Sequence, residues 1–167
     1  GNYIGTNRTG TETIANGEFG VLIDWGSKGN RVGTDGNGVG DVAERNVISG
    51  NAGAGVVIRY SGTDQNVVAG NFIGTTADGT SALGNPWGVA ITGGARDNIV
   101  GTNGDGVADA IEGNVISGNK QHGIALQNSG TECNRVAGNL IGTDVTGATV
   151  LANLGAASSS ATGQLAT

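Results

Sequence analysis

GNYIGT at residues 1–6 returns as GNFIGT at residues 70–75 and as GNLIGT at residues 138–143, so one string punctuates the chain at intervals of 69 and 68 residues. Within that period lies a shorter one. A GVxI-type string starts at Gly20 (GVLI), Gly55 (GVVI), Gly88 (GVAI) and Gly123 (GIAL). Each is followed by an Asn-led segment: NRVG from Asn30, NVVAG from Asn66, NIVG from Asn98 and NRVAG from Asn134. A third segment closes each unit: NVISGN from Asn46, NFIGT from Asn71, NVISGN from Asn114 and NLIGT from Asn139. Repetition at this period marks a solenoid. Three short strands per unit, none long enough for a helix, make one triangular coil. Stacked coils pair in parallel about 4.8 Å apart and bury a column that no four-residue strand could hide alone.

Period-2 alternation names that column. Val21, Ile23, Val56, Ile58, Val89, Ile91, Ile124 and Leu126 point inward from the first strand of each coil. Val32, Val68, Val100 and Val136 do so from the second, and Ile4, Ile48, Ile73, Ile116 and Ile141 from the third. Asn and Gly at the strand ends sit where the backbone turns sharply, often with φ > 0, and a stacked Asn can bond its copies above and below. The 18 asparagines therefore read as scaffold. Beside each inward Ile of the third strand, alternation sends an apolar residue outward: Tyr3, Val47, Phe72, Val115 and Leu140. An exposed ladder of that size calls for a cover, from the insertion loops or from another subunit, and the loops are favoured because their apolar residues recur in register with it. Ile14, Leu83 and Leu151 in the adjoining insertions are the expected plugs.

Composition agrees. Thirty-four glycines, one proline and no methionine exclude an ordinary globular domain. Only 13% of residues are charged and Val, Ile and Leu recur steadily, against disorder, while Gly lacks the three-residue period of collagen. A net charge of −6 without a basic stripe argues against nucleic acid and anionic membrane as partners, and no run of 18 apolar residues spans a bilayer. Cys133 is the sole cysteine, so neither an intrachain disulfide nor a cysteine metal cluster can form.

Insertions alternate between two corners. In the coils from Gly20 and Gly88 they lie between strands two and three, as TDGNGVGDVAER and TNGDGVADAIEG. In the coils from Gly55 and Gly123 they follow strand three, as TTADGTSALGNPW and TDVTGATVLANL, matched before Gly20 by TNRTGTETIANGEF. Loops of one type are thus two coils, about 10 Å, apart. The strings NVISGN, GNFIGT and TADGTSALGN resemble the right-handed β-helix repeats of very large secreted or surface-attached bacterial proteins. That resemblance covers nearly the whole chain and implies an all-β, right-handed parallel β-helix of the pectate-lyase-like type. It spans lyases, adhesins and modules without known activity, and so implies little about activity.

The expected organisation is β-helix repeats over residues 1–155, about four to five coils. Strand three of a preceding coil lies at residues 1–6, and an irregular tail or truncated coil at residues 156–167. The chain opens in mid-repeat, as a fragment or one module of something longer would, with any signal peptide outside it.

The two acidic insertions align without a gap and place oxygen-bearing residues at matching positions: Asp35 with Asn103, Asn37 with Asp105, Asp41 with Asp109, and Glu44 with Glu112. Carboxylates and amides spaced by glycine are what a hard cation such as Ca²⁺ requires. DGNGVGD and NGDGVAD resemble the acidic loops of extracellular calcium-binding repeats but carry fewer acids. The plain alternative is a solvated turn-rich loop with no cofactor. On the outer face of the first strands, the position after GVxI reads Asp24, Arg59, Thr92 and Gln127. Asp24 and Arg59 are the candidate catalytic pair of a lyase, with Lys28, Tyr60 and Asp64 near, although a cross-strand ion pair explains them more simply. Trp25, Tyr60 and Trp87 are candidates for stacking on sugar rings, with Phe19 and His122 beside them; the alternative is that they cover corners of the solenoid. Asn7-Arg8-Thr9 forms a glycosylation sequon, a short match of the kind chance produces.

Two main readings result. One is a structural spacer, adhesion or filament-forming module of an extracellular or cell-surface protein, without enzymatic activity, whose ends stack on one another or on neighbouring modules. The other is a polysaccharide-binding module or calcium-dependent lyase acting on acidic glycans. A third, ice binding by Thr6, Thr34, Thr75, Thr102 and Thr143, ranks last because these belong to two corners.

Overall fold

The computed structural model describes residues 1–155; the tail expected at residues 156–167 lies outside the described residues. In chain order, β1 (Tyr3–Ile4) precedes β2 (Val21–Ile23), β3 (Arg31–Gly33), the one-turn helix α1 (Asp41–Glu44) and β4 (Val47–Ile48). Next come β5 (Val56–Arg59), β6 (Val67–Ala69) and β7 (Phe72–Ile73). They are followed by β8 (Val89–Thr92), β9 (Ile99–Gly101), α2 (Asp109–Glu112) and β10 (Val115–Ile116). β11 (Ile124–Gln127), β12 (Arg135–Ala137) and β13 (Leu140–Ile141) complete the series.

Every third strand stacks on its counterpart in parallel. β2-β5-β8-β11 form one sheet, β3-β6-β9-β12 a second and β1-β4-β7-β10-β13 a third. The register is that of the repeat, for example Ile23 with Ile58, Val32 with Val68 and Ile48 with Ile73. The fold is therefore an all-β parallel solenoid. It makes about three coils, slightly fewer than expected, because four stacked levels are joined by three steps and β1 stands alone in its coil. Among the described residues no helix is long and apolar enough to cross a membrane.

The inward column forms one cluster, with Ile48, Val56, Ile58, Val68, Ile73, Val89, Ile91, Val100 and Ile116 fully buried. Burial of each contributes about 1.5–3 kcal/mol. Ile141 departs from expectation: it lies on the last level and is 48% exposed. Ala95, a corner residue outside the strand alternation, joins the column instead.

Three asparagine ladders run along the corners. Asn46, Asn71 and Asn114 each donate from backbone N and side-chain Nδ2 to the Oδ1 of the next asparagine, the series running from Asn2 to Asn139. The same pattern links Asn30, Asn66, Asn98 and Asn134. A third ladder joins Asn16, Asn51, Asn85, Asn119 and Asn153. The ladder asparagines do not themselves take φ > 0. In the second ladder the residue just before does: Gly29, Gln65, Asp97 and Cys133 are left-handed. Cys133 is an exposed turn residue, 3.7 Å from the guanidinium of Arg96.

Loop insertion is written into one position per coil. Gly33 and Gly101, with φ of 104° and 103°, end β3 and β9 where the acidic loops depart. Coils without that loop carry Ala69 and Ala137 in register. A Cβ at Gly101 would strike the carbonyl of Ala137, so only glycine both turns and stacks there.

The loops that follow the third strands fold back over the outward ladder. Val47, Phe72 and Val115 are buried in a second cluster with Leu140, Ala77 and Val145. The plugs are thus Ala77 and Val145, not Leu83 and Leu151, and Ile14 is 66% exposed. The antiparallel bridges Thr75–Ala82 and Thr143–Val150 pinch each loop at its base, so the third loop residue lands on the ladder. Leu83 instead anchors the loop through its backbone, accepting from Gly50 N at 2.7 Å and donating to Gly74 O at 2.8 Å. The guanidinium of Arg45 lies 4.3 Å above the Phe72 ring.

Candidate functional site

The outer face of the β2-β5-β8-β11 sheet carries most of the aromatic side chains. Its outward rungs are Leu22, Val57, Ala90 and Ala125, then Asp24, Arg59, Thr92 and Gln127. Arg59 donates from Nε (3.3 Å) and Nη2 (3.2 Å) to the same Oδ2 of Asp24. The proposed catalytic pair is thus a closed ion pair across adjacent strands. Lys28 pairs with Asp64 at 3.0 Å one corner further on. Trp25 and Tyr60, the residues following Asp24 and Arg59, stack on each other with ring centroids 4.5 Å apart, and Arg59 sits 4.9 Å from the Tyr60 ring. Both are left-handed, at φ 52° and 74°, where the next two levels have Gly93 and Asn128. Bulky side chains in that region are strained.

Trp87 is not part of this pair. It stands at the opposite corner, edge-on to His122 at 5.5 Å, its Nε1 donating to Gln121 Oε1 at 2.6 Å. With Phe19 it walls an apolar groove of about 310 Å³ floored by Ala54, Val57 and Ala90, with Arg59 and Thr92 also lining it. The groove was readable in part. The position before each GVxI glycine runs Phe19, Ala54, Trp87, His122, and the small residue at Ala54 is the gap between two aromatics.

The acidic loops form a second constellation. In the first, Asp41 accepts from Thr34 Oγ1 (2.7 Å) and Gly38 N (3.0 Å), Glu44 from Asp35 N (2.8 Å), and Asp35 from Asn37 N (3.0 Å). In the second, Asp109 accepts from Thr102 Oγ1 (2.7 Å) and Gly106 N (3.1 Å), Glu112 from Asn103 N (2.9 Å), and Asn103 Oδ1 from Asp105 N (2.8 Å). Asp35, Asp41 and Glu44 bring carboxylate oxygens within 4.8 Å of one another and are the residues that could hold a hard cation. The second loop also has three carboxylates, but Asn103 replaces Asp35 and Asp105 replaces Asn37, so its third carboxylate is shifted by two positions. The loops are not independent neighbours two coils apart: the side chain of the fully buried Glu112 lies against Gly36, leaving no room there for a Cβ. Its Oε1 has no hydrogen-bond partner among the described residues. Thr34 and Thr75 are fully buried, so the recurrent threonines present no common flat face.

Among the turn carboxylates, Asp144 is held down at about 2, first by the hydroxyl of Thr146 and then by bonds from Thr149 and Ala148. The Thr76 hydroxyl and the Thr80 backbone lower Asp78 in the corresponding loop. Both lie in the loops that cover the third sheet. No family model, no curated protein and no solved structure matches this chain.

Proposed function

We propose that this chain is a rigid spacer within a secreted or cell-surface protein, a right-handed, pectate-lyase-like β-helix segment whose ends take further coils. The observation that carries the reading is that, among the described residues, the column is uncovered at both ends, and uncovered with opposite polarity. At one end a hollow of about 450 Å³ bares Ile4, Val21 and Val32 between Asn2 and Asn46. At the other, Ile124 and Ile141 line a second hollow beside Asn153. The ladders donate in one direction only. Among the described residues they end on unfilled Oδ1 acceptors at Asn2, Asn16 and Asn30, and on backbone N–H groups at Asn134, Asn139 and Asn153 that no further asparagine accepts. Unpaired strand edges and donors that match acceptors favour continued stacking in one orientation.

Further coils fit these ends better than a second copy of the same stretch. Loops of the type at residues 6–16 and 143–153 meet their like across two coils, Ala77 N donating to Gly10 O and Val145 N to Gly79 O, each at 3.0 Å. Setting β1 of one copy on β13 of another would crowd two such loops into one strand spacing, about 4.8 Å. The test is to replace residues 156–167 with a second run of residues 20–87. The expected product is a rod about 10 Å longer by small-angle scattering, with a higher melting temperature, because each added interface contributes its own stability. An extended chain that is no longer and no more stable overturns the reading.

A further inference from the structure

We propose that the open outer face of the β2-β5-β8-β11 sheet binds a neutral glycan chain, with Phe19 and Trp87 sandwiching one pyranose ring in the groove between them. The inference is independent of the spacer reading. Phe19 and Trp87 occupy the same corner two levels apart, about 9.6 Å at two strand spacings. The intervening level offers only Ala54, and the floor is the buried pair Val57 and Ala90. Two aromatic walls over an apolar floor suit the C–H faces of a pyranose. Beside that floor runs a rung of hydrogen-bonding side chains, Asp24, Arg59, Thr92 and Gln127, which suits its hydroxyl edge.

Three observations choose the occupant. β5 and β8, the strands beneath the groove floor, pair on both sides, so a peptide lying in the groove could not add a strand there and would meet side chains alone. Arg59, the only cation of the rung, is spent on Asp24, the next two rungs are uncharged, and the chain carries −6, so nothing here attracts a polyanion. Finally, Trp25 is 79% exposed and held with Tyr60 in a left-handed conformation that glycine or asparagine would adopt more easily, as they do at the next levels. An exposed aromatic kept where the backbone disfavours it extends the platform past the groove, on the corner beyond Arg59.

The probe is cellohexaose, a neutral β-linked oligosaccharide, titrated into the full chain by calorimetry and by the fluorescence of the two tryptophans, Trp25 and Trp87. Saturable binding is expected, weakened at least about tenfold by Phe19→Ala or Trp87→Ala. Ala54→Phe, which fills the gap from its own level, should weaken binding similarly, with circular dichroism reporting that each variant keeps its β-structure. Polygalacturonate should bind more weakly than cellohexaose. No saturable binding of cellohexaose, tighter binding of polygalacturonate, or full affinity in folded Phe19→Ala and Ala54→Phe variants would each overturn the proposal.

Discussion

Two faces of this solenoid are built alike and finished differently. The third-strand sheet sends out Val47, Phe72 and Val115, and the loops after those strands fold back so that Ala77 and Val145 bury them. The first-strand sheet sends out Leu22, Val57, Ala90 and Ala125, and among the described residues no loop crosses it; Phe19 and Trp87 flank it and leave a groove. Side-chain size explains the difference. The wide Phe72 ring needs a lid to be buried, whereas Val57 and Ala90 are small enough to be sheltered by two aromatic neighbours and Leu22, at the edge of the sheet, stays half-exposed. A covered ladder is core, and an uncovered one with aromatic walls is a surface available to a partner.

That contrast can be broken at its strongest point first. Phe72→Ala should cost about 3–5 kcal/mol in denaturant unfolding, whereas Leu22→Ala on the open face should cost less than about 1 kcal/mol. Equal costs would mean that the loops do not make the third-sheet face a core. Both faces share the ladders, so Asn85→Ala should cost about 1–3 kcal/mol, because the Nδ2 of Asn51 loses its acceptor and the Ile48 carbonyl its donor. Rescue by Asp, which keeps only the acceptor, should be partial.

Acid should act on the covered face selectively. Asp144 and Asp78 titrate below the ordinary carboxylate range when folded, so their stabilisation is complete above the ordinary carboxylate pKa and is lost as the pH falls through the lowered folded values, about 2 for Asp144. Hydrogen exchange should then rise first at residues 76–82 and 144–150, with the β2-β5-β8-β11 sheet unaffected over the same range. Trp25→Gly, on the open face, should leave stability unchanged or raise it by up to about 1 kcal/mol by relieving the left-handed strain. The smallest effect is expected from calcium. The carboxylates of residues 35–44 already accept loop N–H and hydroxyl groups, so saturating calcium should shift the melting curve by less than about 1 °C, and Asp35→Asn, which takes one carboxylate out of the trio, should abolish that shift.

The inner column was legible because it repeats with period 2 inside a period set by the coil, and both periods are properties of the string itself. The exposure of Ile141 and the burial of Ala95 were not legible, for a reason the string does not hold: one lies at the end of the stack and the other at a corner. The lid over Phe72 was legible as a need but not in its residues, since the pinch at Thr75–Ala82 decides which loop residue turns inward. At the candidate sites, Asp24 and Arg59 were readable as partners from their register, and Trp25 with Tyr60 as neighbours. The groove depends on Phe19 and Trp87, 68 positions apart in the chain, lining one hollow with Ala54 between their levels.

By itself, then, the order of residues determined the strands, their parallel stacking, the buried column and the asparagine ladders, because each coil repeats its neighbour and repetition is visible without coordinates. Only the tertiary structure decided which loop residue covers the third sheet, that Glu112 reaches Gly36 across a coil, and that one face stays open between two aromatic walls. Those features depend on where non-repeating residues meet across coils, and that is a matter of geometry rather than period.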